Sequence, residues 1–273
     1  MGTILDFRGI DKCESTIRQT WTDFTISLAT KQYKYNEVNK ALSDTFLHVF
    51  DELFQDKDMR ELLSITLSDL NNKNIDFCRG AKLKSLEKVN YERFIPKSEF
   101  IKEDNRFSPK GIEWLYLSMG NSMTAISDAE NCCIKECRIE DNDRVGLCHF
   151  IINTKYLSKK IIDLTISDEL SFDELNSGLV NNIQQHRIDT GIKKWITFTY
   201  AKLMSEQIFV PLKTDDKELI YAPFQCLAQY FISRGYSGII YKSTVCNGGK
   251  NIVLFDKMFA SPTGKIKDFI FKA

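Results

Sequence analysis

Tyr221–Phe255 reads YAPFQCLAQYFISRGYSGIIYKSTVCNGGKNIVLF, a helical pattern handing over to two strand patterns. Pro223 suits the opening of a helix whose apolar face is Phe224, Leu227, Ala228 and Phe231, and Gly235 is placed to end it. The helix feeds a strand at Gly238–Tyr241. Gly248, Gly249 and Asn251 then read as a hairpin that returns the chain into a strand at Ile252–Phe255. A helix feeding a sheet in this way points to an α+β domain.

The same texture extends toward the N-terminus as far as Ile75, with short apolar runs separated by Gly, Pro, Asn and Asp. Trp114–Ser118, Leu147–Ile152 and Lys160–Leu164 are the further strand candidates. Before residue 75 the period changes. Ile17, Trp21, Phe24 and Leu28 recur at helical spacing, and Leu42, Phe46, Val49, Phe50, Leu53 and Phe54 form a second, wider stripe. Val38–Leu70 has neither Gly nor Pro, so one or two helices are expected through it before the loop signal of Asn71, Asn72 and Asn74. The expected division is a helical N-terminal extension over residues 1–74 and one compact mixed domain over 75–273.

The 273 residues carry 37 basic and 37 acidic side chains and are 43% hydrophobic, which fits a globular chain with a sizeable core. A formal net charge of zero supplies no field to hold a polyanion, so direct nucleic-acid binding is not expected. The basic stretches Lys82–Lys88 and Lys257–Lys272 are broken by acids and apolar residues and read as solvated faces. No run approaches the roughly 18 apolar residues of a membrane span, and Met1–Gly9 lacks a signal-peptide pattern. Gly2 is followed by Asp6 where a myristoylation pattern needs Ser or Thr. With eight cysteines and no C-x-x-C pair, free thiols in a reducing cytoplasm are expected.

Phosphate-loop, dinucleotide-fold, zinc-protease and serine-hydrolase motifs are all missing. His48, His149 and His186 have no metal-ligand neighbour at a convincing spacing, and Cys132, Cys133 and Cys137 lack a second ligand pair, so no metal is expected.

Four segments stand out in order: Phe77-Cys78-Arg79-Gly80; Arg106-Phe107-Ser108-Pro109 leading to Gly111 and Leu115-Tyr116-Leu117; Ile134-Lys135-Glu136-Cys137-Arg138; and Gly238-Ile239-Ile240-Tyr241-Lys242-Ser243. Together they resemble the RES family of bacterial NAD-degrading toxins. That family's pattern runs from aromatic-x-Arg-Gly, through Arg-x-x-Pro-x-Gly into Leu-Tyr-Leu and a Glu-x-Arg helix end, to a Gly-Ile-x-Tyr-x-Ser strand. Tyr221, Gln225, Gly235, Asn251 and Phe255 add to the likeness, which covers the last two-thirds of the chain. The resemblance implies an ADP-ribosyltransferase-like mixed sheet with flanking helices, NAD as substrate and, in several members, inorganic phosphate as the nucleophile.

The chemistry explains why such residues are needed. An arginine fork grips phosphate oxygens through paired charge-assisted bonds, a role that suits Arg79 and Arg106 on a diphosphate, with an ordinary salt bridge as the competing reading. Tyr116 can present its ring to nicotinamide or simply pack. Departure of nicotinamide leaves positive charge on the ribose, which a fixed carboxylate steadies. Glu136 is placed in that role, against the alternative of an exposed helical glutamate. The family's acid stands about a dozen residues beyond the tyrosine, where this chain has Ser127, Asp128 and then Glu130. Thr124-Ala125-Ile126-Ser127-Asp128 resembles the family's Thr-Ala-Ile-x-Glu, so Asp128 and Glu130 stay open as substitutes. Ser243 is expected to act through its hydroxyl on the nicotinamide amide or the ribose, not as a nucleophile, or else to satisfy a backbone group at a strand end.

Three functions remain in competition: NAD phosphorolysis or hydrolysis by a toxin silenced by a cognate antitoxin; ADP-ribosyl transfer to a macromolecule, with Asp141–Gly146 or Thr165–Gly178 facing the acceptor; and a lapsed NAD-binding regulatory module. The N-terminal helices can cover the pocket, build a homo-oligomer or receive the inhibitor.

Overall fold

The computed structural model describes residues 10–73, 75–121, 127–168, 170–209 and 217–272. In chain order these form α1 (Ile10–Ala29), α2 (Val38–Ala41), α3 (Thr45–Gln55), α4 (Lys57–Leu62), β1 (Ser64–Thr66), α5 (Leu67–Asn72), β2 (Ile75–Lys82), β3 (Leu115–Asn121) and α6 (Asp128–Glu136). They continue as β4 (Arg144–Ile152), β5 (Lys160–Asp163), α7 (Phe172–Gln184), α8 (Ile188–Phe209), α9 (Lys217–Ser233), β6 (Gly238–Lys242), β7 (Lys250–Leu254) and β8 (Ala260–Ile270). The fold is α+β, as the alternation of patterns indicated.

The elements gather into two compact units, Met1–Ser64 with Asp163–Tyr230, and Ile65–Ile162 with Phe231–Ala273. The junction read at residue 74 lies between α5 and β2, inside the second unit.

The first unit is helical and its core is aromatic. Ile17, Trp21, Phe24 and Leu28 of α1 are all buried, as their spacing required. Phe46 packs on Phe24 and on Tyr200 of α8, with ring centroids 5.4 and 4.9 Å apart. Tyr230 of α9 hydrogen-bonds Asp51 of α3 at 2.8 Å, which satisfies a carboxylate that is otherwise buried. Val38–Leu70 is not one or two helices but four, with β1 among them. Asp44 and Asp56, both extended in backbone, stand before α3 and α4, and Asp56 accepts from Asp58 N at 3.0 Å. Pro223 does not open α9: the helix starts at Lys217 and carries the proline inside, losing one N–H donor there. Gly235, at φ 83°, follows the helix end as expected.

The second unit holds the sheet, in the order β1-β5-β6-β7-β3-β2-β4-β8. Pairs β6–β7, β7–β3, β3–β2, β2–β4 and β4–β8 are antiparallel. One face buries Phe77, Leu115, Leu117, Met119, Ile240 and Ile252 in the main core. The other carries Cys78, Val145 and Leu147 against Ala129, Cys133 and Ile134 of α6. Two glycines let α6 lie so close: a Cβ at Gly120 would meet Ala129 N at 2.4 Å, and one at Gly80 would meet Cys133 Sγ at 2.9 Å. Asn251, read as part of the hairpin, is instead a buried residue of β7, while Gly248, at φ 71°, and Gly249, whose N–H bonds Cys246 O at 2.9 Å, make the turn.

Candidate functional site

Helix α6 sets the position of Glu136. Ser127 caps its start, accepting from Glu130 N at 3.3 Å, and Asp128 and Glu130 favour the positive end of the helix dipole. At the other end Cys137 N bonds Cys133 O, Ile139 N bonds Ile134 O, and Arg138 adopts φ 49°, so the helix stops at Glu136.

Glu136 is exposed, yet one of its oxygens is doubly held. Oε1 accepts from Ser243 Oγ at 2.7 Å and from Asn251 Nδ2 at 2.6 Å. Oε2 accepts nothing from the described residues. The two donors are themselves fixed. Ser118 Oγ donates to Asn251 Oδ1 at 3.0 Å and Cys132 Sγ lies 3.7 Å from it, which decides the orientation of the amide. Register explains the meeting, since Asn251 of β7 pairs with Ser118 of β3 on one side and Tyr241 of β6 on the other. Ser243, fully buried just past β6, accepts from Cys246 N at 2.9 Å and Val245 N at 3.3 Å. The alternative read for its hydroxyl is the one seen, since it accepts from backbone amides at the strand end, while its proton goes to Glu136. Burial pushes the Cys132 thiol up to about 12, so it stays protonated as a weak donor.

Tyr116 of β3 is half-buried and its hydroxyl lies 2.9 Å from Ser108 Oγ. Phe107 of the same loop meets the Tyr241 ring edge-on at 4.9 Å, which ties residues 106–108 to β3 and β6. Burial holds the Tyr241 phenol well above its usual range; Tyr116 and Glu136 push it further and the Arg106 charge pulls it back. The Tyr116 phenol is likewise raised by burial and drawn down by Ser108 and by Arg79. The hydrogen bond with Cys133 and burial raise the Cys137 thiol, with Arg79 opposing the rise and Glu136 adding to it. Glu136, Ser243 and Asn251 are thus in direct contact, and Arg106, Tyr116 and Arg79 are close enough to act on their neighbours electrostatically. Arg79 is half-buried, with its pKa lowered by burial and with Nη1 shut from solvent and without a hydrogen-bond partner among the described residues.

The substitute acids stand elsewhere. Asp128 is at the opposite end of α6, about 12 Å along the axis at 1.5 Å per residue. Glu130 is buried and spent, bonding His149 Nε2 at 2.7 Å and Lys267 Nζ at 2.8 Å. Thr124, Ala125 and Ile126 lie outside the described residues. Among those described, no group of three or more His, Cys, Asp or Glu side chains is arranged to hold a metal, and no helix is long and apolar enough to cross a membrane.

Asn251 is the partner that motif reading did not place in the site. Its signal was present in the Asn-x-x-x-Phe spacing, but only strand pairing shows what the amide touches. Ser243 and Asn251 also fall within the stretch that a family comparison recognises. Residues 180–271 match the RES domain. The RES segment leaves out Arg79, Arg106, Tyr116 and Glu136, which reach Ser243 and Asn251 or their neighbours through the fold of β2, β3 and α6. No curated protein and no solved structure matches the chain.

Proposed function

We propose that this chain binds NAD and breaks its nicotinamide–ribose bond, with phosphate or water as the acceptor, as a toxin held in check by a cognate antitoxin. The RES match supports an NAD-related, toxin-like module at the level of the family. The observation that carries the finer reading is the Glu136 carboxylate on an exposed helix end, with Oε1 held by two donors and Oε2 bonded to none of the described residues.

In this reading NAD supplies its own leaving group, since nicotinamide departs as a neutral amide and the positive charge moves to the ribose. Oε2 of Glu136 faces the ribose and steadies that charge, while Ser243 and Asn251 prevent the carboxylate from turning away. Two fixed donors also lower the cost of holding the carboxylate in one rotamer before substrate arrives. Arg79 and Arg106 grip the diphosphate, and the Tyr116 ring borders the nicotinamide. Ser243 acts as a positioning residue, because its buried hydroxyl is committed to Glu136 and to two backbone amides.

Mass spectrometry of NAD incubated with the purified chain, with and without inorganic phosphate, tests the proposal. Nicotinamide together with ADP-ribose 1″-phosphate or free ADP-ribose is expected. Recovery of intact NAD in both conditions contradicts the reading, and ADP-ribose attached to a protein or nucleic acid moves the activity to transfer.

A further inference from the structure

Between β2 and β3 the chain makes two single-turn helices, Tyr91–Arg93 and Ser98–Phe100, and these wall a cleft of about 750 Å³ that reaches back to Arg79. That volume suits a ligand of nucleotide size. Glu136, Tyr116 and Ser243 do not line it, so it is separate from the acid while sharing Arg79, whose charge also acts on Cys137 beside Glu136.

The walls are tied down. Arg144 Nη1 donates to the carbonyls of Lys84, Ser85 and Glu87 at 2.9, 3.0 and 3.1 Å, while its other nitrogens hold Asp268. Across the cleft Ser98 N donates to Glu113, which pairs with Lys257.

The lining carries four basic side chains, Arg79, Lys84, Arg93 and Lys97, against Glu87 and Glu92. Both acids are already matched, Glu87 by Arg93 at 2.6 Å and Glu92 by Lys97 at 2.9 Å. Arg79 and Lys84 are left with two positive charges that form no ion pair among the described residues. Beside this anion-seeking pair stands an exposed aromatic ring: Phe100 is 74% exposed, although it borders a concave site. A ligand with an anionic part and a flat π face meets both features, and a nucleoside diphosphate has both.

We propose that this cleft seats the adenosine 5′-diphosphate half of the dinucleotide, with Lys84 added to the grip of Arg79 and Arg106 on the diphosphate and with the adenine on Phe100. The choice of ligand rests on the NAD reading above, but the charge and the exposed ring stand without it. Arg79 then lies where the two halves of the substrate join, and its orphaned Nη1 gains an acceptor if a phosphate oxygen draws the side chain outward.

ADP itself is the probe, titrated calorimetrically into the full chain and into Lys84→Glu, Phe100→Ala and, as a charge control outside the cleft, Lys159→Glu. Binding by the wild type and by the control, weakened about tenfold or more in each cleft variant, is the expected result. No binding of ADP to the wild type, or equal binding by all four proteins, overturns the proposal. Release of nicotinamide from NAD by the same preparations reports on the cleavage reading separately. ADP binding without release keeps the cleft and removes the chemistry, and release without ADP binding removes the cleft alone.

Discussion

Replacing Asn251 with leucine preserves most of the side-chain volume and deletes every polar contact the amide makes. Three bonds are affected: Nδ2 to Glu136 at 2.6 Å, Ser118 Oγ to Oδ1 at 3.0 Å, and the longer Cys132 contact at 3.7 Å. The bond to Glu136 is charge-assisted but ends on an exposed carboxylate, so about 1 kcal/mol is a fair share of its usual range. Ser118 is 4% exposed and would keep a hydroxyl without that acceptor, at a cost of about 1–3 kcal/mol. The added apolar surface of leucine offsets part of this. A net loss of about 2–3 kcal/mol is expected in denaturant unfolding, too little to abolish a folded state of ordinary stability. Activity should fall further than stability. With Ser243 as its only remaining tether among the described residues, Glu136 samples other rotamers, and a drop of about 10- to 100-fold in kcat for nicotinamide release is expected, with a smaller change in KM. A folded Asn251→Leu protein with wild-type kcat refutes the reasoning, because the doubly held oxygen would then be irrelevant to turnover.

Glu130→Gln should cost about 1–3 kcal/mol, discounted from a fully buried pair because Lys267 is 48% and His149 26% exposed. Lys267 and His149 outweigh the burial of Glu130 and hold its carboxyl below the ordinary 4.5, so its contribution is complete above about pH 4.5 and is lost as pH falls through the lower folded-state value. Unfolding curves of the two proteins should therefore differ at pH 7 and converge under acid; a constant gap across that window contradicts the assignment. Gly120→Ala puts a methyl 2.4 Å from Ala129 N, so α6 must move, and a loss of about 1–3 kcal/mol in thermal unfolding together with reduced turnover is expected. An unchanged melting curve would show that α6 does not rest on β3 as described. Arg106→Lys keeps the charge and loses the fork, so NAD affinity measured by titration should weaken about tenfold, and unchanged affinity removes Arg106 from the site.

Much of this architecture could be read from residue order alone, and the exceptions have physical causes. The α1 stripe and the strands at Leu115, Arg144, Lys160 and Gly238 announce themselves because each buries a regular apolar face. β8 does not, since an edge strand has one exposed flank and here carries Pro262, Gly264, Lys265 and Lys267 in place of an apolar run. Pro223 misleads for a different reason: packing within α9 tolerates a lost backbone bond that local preference counts against the helix.

At the candidate site, the residues on both sides of Glu136 mark it as the candidate acid despite its unusual distance from Tyr116. Its rivals were separable only in three dimensions, where Glu130 proves committed to Lys267 and His149 and Asp128 sits at the far end of α6. Asn251 shows the limit of motif reading most clearly. Spacing marks it as part of a pattern, but its partners Ser118 and Glu136 lie 133 and 115 residues away and meet it only through strand pairing and the end of a helix.

The most direct test of the account is nicotinamide release from NAD by the wild-type chain beside Glu136→Gln and Asp128→Asn. Glu136→Gln keeps the shape and removes the charge, so release should fall by about two orders of magnitude or more with unfolding behaviour little changed, while Asp128→Asn stays near wild type. Full activity in Glu136→Gln, with activity lost in Asp128→Asn, would place the acid at the other end of α6 and contradict the account.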